Sequence, residues 1–391
     1  MATPTLHNRI FSPLQEIVKD SRSVGIILGV CTVVSMIAAN LAFSGSFWTG
    51  FWAREWHWPE PIHLPHSMLH IVNDLFMAVF FFLVGMEIKR ELLVGELREP
   101  RKALLPVFAA IGGMLVPALL YSILNKGTDF RGGWGIPMAT DIAFSLGVAS
   151  LLGDRVPASL KIFLTALAII DDLGAIITIA VFYGGALQLA WAGAAVIVTV
   201  LLWLCGRYRR SFGWIQWILG AALWYCVFNS GIHATLAGVL FAFFVPMDAL
   251  HHLEHKLHVP VNFIILPIFA LANTAIVIQG GLGASMGNTL NAGILAGLLL
   301  GKPLGILLFC WLVVKLRWGA LPEQVGWPQM AGIGMLAGIG FTMSIFIAML
   351  AFDSPAVQDM AKIGVLVASL IAIVAGSIML HAFSKRLTTR D

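Results

Sequence analysis

Residues 132–147 read GGWGIPMATDIAFSLG, and residues 331–344 read AGIGMLAGIGFTMS. Both lie in apolar runs of membrane-crossing length, yet both are poorly suited to a regular helix. In the first, Gly132, Gly133, Gly135 and Pro137 stand ahead of Thr140 and Asp141; in the second, Gly332, Gly334, Gly338 and Gly340 stand ahead of Thr342 and Ser344. Glycine weakens a helix through its backbone entropy, and proline removes a donor and crowds the preceding turn. Interruptions of this kind in corresponding spans of two halves mark the binding centre of membrane carriers. Glycines also let helices pack closely. The polar residues that follow both interruptions favour two discontinuous helices.

The surrounding composition fixes the solvent. Of 391 residues, 59% are hydrophobic and 11% charged, with a mean hydropathy of +0.89. A soluble surface needs roughly a quarter of residues charged, so the chain reads as an all-α integral membrane protein. Runs of roughly 17 to 25 apolar residues span the hydrocarbon core as helices. About twelve such runs are predicted: Val24–Ser44, Met68–Val94, Ala103–Leu124, Gly132–Leu152, Ala158–Tyr183, Leu187–Cys205, Phe212–Asn229, Gly231–Val245, Val261–Ile278, Ala292–Val314, Gln329–Ala351 and Ile363–Phe383. The interrupted runs are the fourth and the eleventh. An offset of seven reverses topology, so spans 3–5 and 10–12 are expected to form inverted-topology repeats.

The polar first twenty residues lack the apolar core and cleavage site of a signal peptide, so the first span reads as an anchor. With both termini placed in the cytoplasm, nineteen of the 24 Lys and Arg fall in cytoplasmic segments. Arg54, Lys126, Arg131 and Lys362 fall outside. That asymmetry satisfies the positive-inside rule. It also explains the formal charge of +4 without a nucleic-acid partner. Residues 1–391 form a single membrane domain, with cytoplasmic segments at 1–23 and 384–391 and an extracytoplasmic loop at 45–66. That loop contains FWTGFWAREWHWPEPIH, which suits an aromatic belt at the interface or a small β-hairpin that pairs protomers. Cys31, Cys205, Cys226 and Cys310 lack metal-ligand spacing and read as buried thiols. Gly293, Gly297, Gly301 and Gly305 recur every fourth residue on one face of the tenth span and predict a close helix crossing.

Four ionisable residues sit deep inside spans: Asp141, Asp171, Asp172 and Lys302. Each costs at least about 2.5 kcal/mol at mid-bilayer, so each implies a partner or a watery route. Adjacent helical residues point about 100° apart, so Asp171 and Asp172 cannot share one partner. One can meet a counter-charge while the other faces a cation route, and Lys302 is the intramembrane cation available. Broken helices present positive N-termini and negative C-termini. Asp141 is expected to balance the former and Lys302 the latter. A buried carboxylate flanked by opposing charges can hold a proton or a hard cation in turn.

LAIIDDLGAI, MATDIAFSLG, GKPLG and GIGFTMSIFIA, in this order and across essentially all twelve spans, resemble the NhaA family of bacterial Na+/H+ antiporters. That family is one of the cases on which the broken-helix rule rests, so the two readings overlap. The resemblance implies electrogenic, pH-regulated exchange of Na+ or Li+ for H+ by alternating access in the bacterial inner membrane. It implies that Asp172 with Asp171 binds the transported cation or proton, that Thr140 and Asp141 lie where the two broken helices cross near the bilayer midplane, and that Lys302 pairs with Asp171. It implies no enzyme activity and no cofactor, only the cargo ions. The implied partners are membrane lipids and a second copy of the chain, held partly through residues 45–66.

Two polar clusters gain meaning from the same resemblance. VGMEIKREL by itself reads as a positive-inside anchor, and HHLEHKLH as a wet interfacial helix. In the family both match a cytoplasmic funnel linked to pH activation, which makes Glu87, Arg90, Glu91, Glu254, His255 and His258 candidate pH-response residues. Asn73 and Asp74 are candidate funnel residues, and His233 fits a structural role. His251 and His252 depart from the family, standing where a Lys/Arg-rich flank is usual. The competing functional classes are a passive cation channel and an intramembrane aspartyl protease using Asp141 and Asp172. The protease reading lacks its Tyr-Asp and Gly-x-Gly-Asp signatures, and the channel reading lacks repeated filters.

Overall fold

The computed structural model describes residues 21–59, 63–208, 212–278, 281 and 286–384. Within hydrocarbon, backbone groups must satisfy one another, which leaves helices as the open-chain solution. The apolar runs accordingly become α1 (Ser21–Asn40), α2 (Gly45–Ala53), α3 (Met68–Leu93), α4 (Pro100–Leu124), α5 (Ile142–Leu151), α6 (Ala158–Phe182) and α7 (Leu189–Tyr208). They continue as α8 (Trp214–Asn229), α9 (Leu236–Phe243), α10 (Met247–Asn273), α11 (Thr289–Lys315), α12 (Trp327–Ala337), α13 (Phe341–Ala351) and α14 (Pro355–Ser384). A 3-10 segment, Asp129–Met138, precedes α5.

Eight of the described helices are long and apolar enough to cross a membrane. Two further pairs qualify jointly and are broken: Asp129–Met138 with α5, bent by 46°, and α12 with α13, bent by 47°. The expected seventh and eighth spans are shorter than the roughly 20 residues a perpendicular crossing needs. α8 has 16 residues and α9 has 8. α9 is nevertheless pressed against α3, for a Cβ on Gly238 would meet the Ala78 carbonyl oxygen at 2.0 Å.

Two local expectations change. The 45–66 segment does not pair as a hairpin among the described residues. Gly45–Ala53 is helical, and pairing reduces to one antiparallel bridge between Glu55 and Ser67. GSFWTGFWA has no turn residues placed to reverse a strand there, and its aromatics pack edge to face along the helix, as Trp48 does on Trp52. HHLEHKLH is not a separate interfacial helix. It is continuous with the next span through a π-helical turn at Val261–Ile265, because Pro260 follows a full helical turn and its ring is absorbed by the wider turn.

The glycine stripe of the tenth span does pack as its spacing predicts. A Cβ on Gly305 would lie 2.1 Å from the carbonyl oxygen of Gly112, and one on Gly112 would lie 2.3 Å from that of Gly305. α4 and α11 therefore cross backbone to backbone. A Cβ on Gly297 would meet the Pro137 side chain at 2.5 Å, which seats the first break directly on α11. A π-helical turn at Gly297–Gly301 ends at Lys302 and sets the direction in which that side chain leaves the helix.

Candidate functional site

The two breaks meet. Ala139 and Asp141 are extended, with ψ of 147° and 101°. The chain between Met138 and Ile142 exchanges hydrogen bonds with the chain between α12 and α13 in place of the helical bonds both have lost. The Asp141 amide donates to the Ile339 carbonyl at 2.7 Å, and the Thr140 hydroxyl donates to the Ala337 carbonyl at 2.9 Å. Ser344 adds a bond from its hydroxyl to the Ile136 carbonyl at 2.7 Å.

Asp141 serves both helix starts at this crossing. One carboxylate oxygen accepts the Phe144 amide at 2.9 Å. The other accepts the Thr342 amide at 3.0 Å and the Thr342 hydroxyl. A helix N-terminus carries about half a positive unit, so α5 and α13 together present close to one unit to a single carboxylate. The opposite ends are treated in mirror fashion. Lys302 Nζ donates to the carbonyl of Met138, the last residue of the 3-10 segment, and to Asp171 Oδ2 at 2.7 Å. Lys302 is 0% exposed, and its charge is divided between a carboxylate and a helix end.

Asp172, one residue along α6, is 2% exposed and has no hydrogen-bond partner among the described residues. A buried charge without a partner is expensive. The structure thus brings together Thr140, Asp141, Asp171 and Lys302, with Asp172 beside them on the same helix. From sequence Thr342 reads only as a polar residue after the second break, not as a site residue. Its signal was present, since it follows the second break as Asp141 follows the first.

A cavity of about 160 Å³ approaches this centre. Glu87, Arg90, His258 and Asn262 line its polar end, and Phe80, Ile142, Ala143 and Ile169 its deep end. Arg90 pairs with Glu91 at 3.1 Å and with Glu254. Glu87, Arg90, Glu91, Glu254 and His258 therefore form one cluster, in which Glu91 and Glu254 share Arg90. His255 does not line the cavity and makes no hydrogen bond or ion pair among the described residues, but its charge acts on His258 one turn along α10. Asn73 bonds Asn273, and Asp74 pairs with His70 at 2.8 Å, both away from this cavity. His233 is held by the Tyr183 carbonyl. Among the described residues no group of three His, Cys, Asp or Glu side chains is placed to hold a resident metal.

The comparisons agree with this architecture. The profile of the family Na+/H+ antiporter 1 matches residues 15–380. Among relatives, the Na+/H+ antiporter NhaA of Rhizobium etli is 45% identical over 403 residues, covering 99% of this chain and 100% of the relative. The NhaA antiporter of Cytophaga hutchinsonii is 45% identical over 368 residues, covering 93% of each chain. That of Escherichia coli O1:K1 / APEC is 49% identical over 373 residues, covering 90% and 94%. Crossed broken helices, a buried carboxylate pair with Lys302 bound to one member, and full-length similarity to these relatives lead to one conclusion: the chain belongs to the Na+/H+ antiporter 1 family.

Proposed function

We propose that the protein is a secondary active antiporter that exports Na+, or Li+, in exchange for H+ across the bacterial inner membrane. The observation that carries this reading is Asp172, a buried carboxylate without a partner beside a buried Lys302–Asp171 pair. A proton and a small hard cation compete for that carboxylate, so binding one requires release of the other. Asp171 and Thr140 complete the oxygen-rich surroundings. Lys302 and Asp141 hold the ends of the crossed helices in charge balance, so the site can change its exposure without leaving an unmatched helix end.

In this reading the chain crosses the membrane twelve times with both termini in the cytoplasm. The short α8 and α9 count as crossings, each broken pair counts as one, and spans 3–5 and 10–12 are inverted repeats. More protons enter than sodium ions leave, which makes exchange electrogenic. The cluster of Glu87, Arg90, Glu91, Glu254 and His258 at the cytoplasmic cavity adjusts the rate to pH. No cofactor takes part, and two copies of the chain associate in lipid through the 45–66 region.

The test is a pH dye inside proteoliposomes, with Na+, Li+ or K+ added outside. Wild-type protein is expected to move protons in response to Na+ and Li+, and Asp172→Asn to give no response. Normal exchange by that variant would overturn the site assignment. A Na+ current that reverses at the sodium equilibrium potential, indifferent to the proton gradient, would favour a channel.

A further inference from the structure

A second polar cluster, with Asn273 buried and Asn73, Asp74 and His70 partly buried, lies toward the opposite end of the helices that form the cavity. The π-helical turn Val72–Phe76, near the start of α3, sends neighbouring residues to different partners. Asp74 meets His70, and its carbonyl accepts the Trp224 indole N–H at 3.1 Å. Asn73 turns to the interior instead. Its Oδ1 accepts from Asn273 Nδ2 at 2.9 Å, and its own amide donates to Met349 Sδ at 3.3 Å, a weak acceptor.

Asn273 is the last residue of α10 and is 1% exposed. Its Nδ2 also reaches the Phe269 carbonyl at 3.1 Å, but its Oδ1 has no hydrogen-bond partner among the described residues. Buried amide oxygens are almost always satisfied, so an orphan at a helix C-terminus, where partial negative charge gathers, points to a positively charged ligand.

The location of this cluster relates it to the ion route. On α3 the cavity lining runs from Arg90 to Phe80, and Asn73 lies seven residues beyond Phe80, roughly 10 Å along the helix. α6 packs against α3 and runs antiparallel to it, for Lys161 and Ile162 near its start share a second cavity with Glu91 near the end of α3, and Ile169 shares the first with Phe80. Its Ile169 lines the deep end of the cavity, and Asp172 lies three residues further in the same direction. Asp172 therefore sits between the closed end of the cavity and the Asn73–Asn273 pair.

We propose that Asn73 and Asn273 form a waypoint for a desolvated Na+ or Li+ ion between Asp172 and the outer face, and that their mutual hydrogen bond closes the route when no ion is there. The two Oδ1 atoms are the ligands, and the cation displaces the Asn273 amide from Asn73. This inference rests on the antiport reading and adds an outer site to it.

The experiment compares wild type, Asp172→Asn, Asn73→Leu, Asn273→Leu and Asn273→Ser. It measures Na+-driven proton movement in proteoliposomes, equilibrium Na+ binding in detergent, and thermal unfolding. Both leucine variants are expected to lose at least about tenfold in turnover while binding Na+ as wild type does and unfolding at a similar temperature. Asn273→Ser, which restores an oxygen, is expected to recover part of that turnover. Wild-type turnover in both leucine variants would overturn the waypoint. So would a parallel loss of turnover, binding and unfolding temperature that serine fails to relieve, since packing alone would explain it. Asp172→Asn reports separately on the antiport reading: if it is silent while Asn73→Leu and Asn273→Leu exchange normally, only the waypoint fails.

Discussion

At the centre of the bundle, Asp141, Asp171 and Lys302 are each at most 2% exposed and each has a matched partner. At the mouth of the cavity, Arg90 retains 30% exposure and is divided between Glu91 and Glu254, with Glu87 nearby. Where water is excluded, a lost partner leaves a charge stranded. Where water reaches, a lost partner changes only the local field. The contrast teaches how to read Asp172: Asp171 leaves Oδ1 and Glu254 leaves Oε2 without a donor, but each holds a cationic side chain through its other oxygen, and Asp172 has no such pairing.

The sharpest way to break this comparison is Asp172→Asn, which is expected to reduce exchange to background while leaving the unfolding temperature unchanged or higher, because no partner is stranded. Parallel loss of folding and activity would place Asp172 among the structural charges. Next in size is Lys302→Met. It leaves Asp171 and the Met138 carbonyl without their donor, and breaking a buried pair from one side costs about 3–5 kcal/mol. Thermal unfolding in detergent should register that loss, and adding Asp171→Leu should recover much of it.

Asp141→Ala removes the acceptor at two helix starts, at about 1–2 kcal/mol for each cap, whereas Asp141→Asn keeps an acceptor and should cost less. Equal losses in the two variants would show that charge, and not capping, is what Asp141 supplies. At the mouth, Arg90→Met should change stability by no more than about 1 kcal/mol. It should shift the activity profile toward higher pH by up to about one unit, since the neighbouring carboxyls lose their cation. The smallest contrast is within α10. His258→Ala, at the cavity wall, is expected to alter the pH profile more than His255→Ala, which lies off the wall and acts only through its neighbour His258. Equal shifts would show that position on the cavity does not decide the response.

Much of the centre was legible because burial makes charge scarce. In an apolar run, each Asp or Lys carries its own argument, and glycine with proline marks the break. The partner of Lys302 at Met138 could not be read, since a carbonyl has no sequence signature and the contact depends on where a 3-10 segment happens to end. The segment at 45–66 misled because alternating aromatics suit a strand, but they suit a short helix at an interface equally. HHLEHKLH misled in the opposite direction: its polarity marks one wet face, and polarity alone does not end a helix. Asn273 was invisible because an asparagine near a span end is ordinary until its oxygen is found without a donor.

The crossing of Gly112 and Gly305 has a mechanical consequence. With the peptide groups of Gly112 and Gly305 touching and the Phe309 and Val116 side chains packed around the contact, α4 and α11 have little free space there for small sliding rearrangements. Rotation about the contact point is unhindered by comparison. The crossing acts as a pin close to the residue that carries the buried ammonium. In the proposed antiport reading, a change of exposure at the site would tilt the surrounding helices about that pin and leave Lys302, three residues from it, comparatively still.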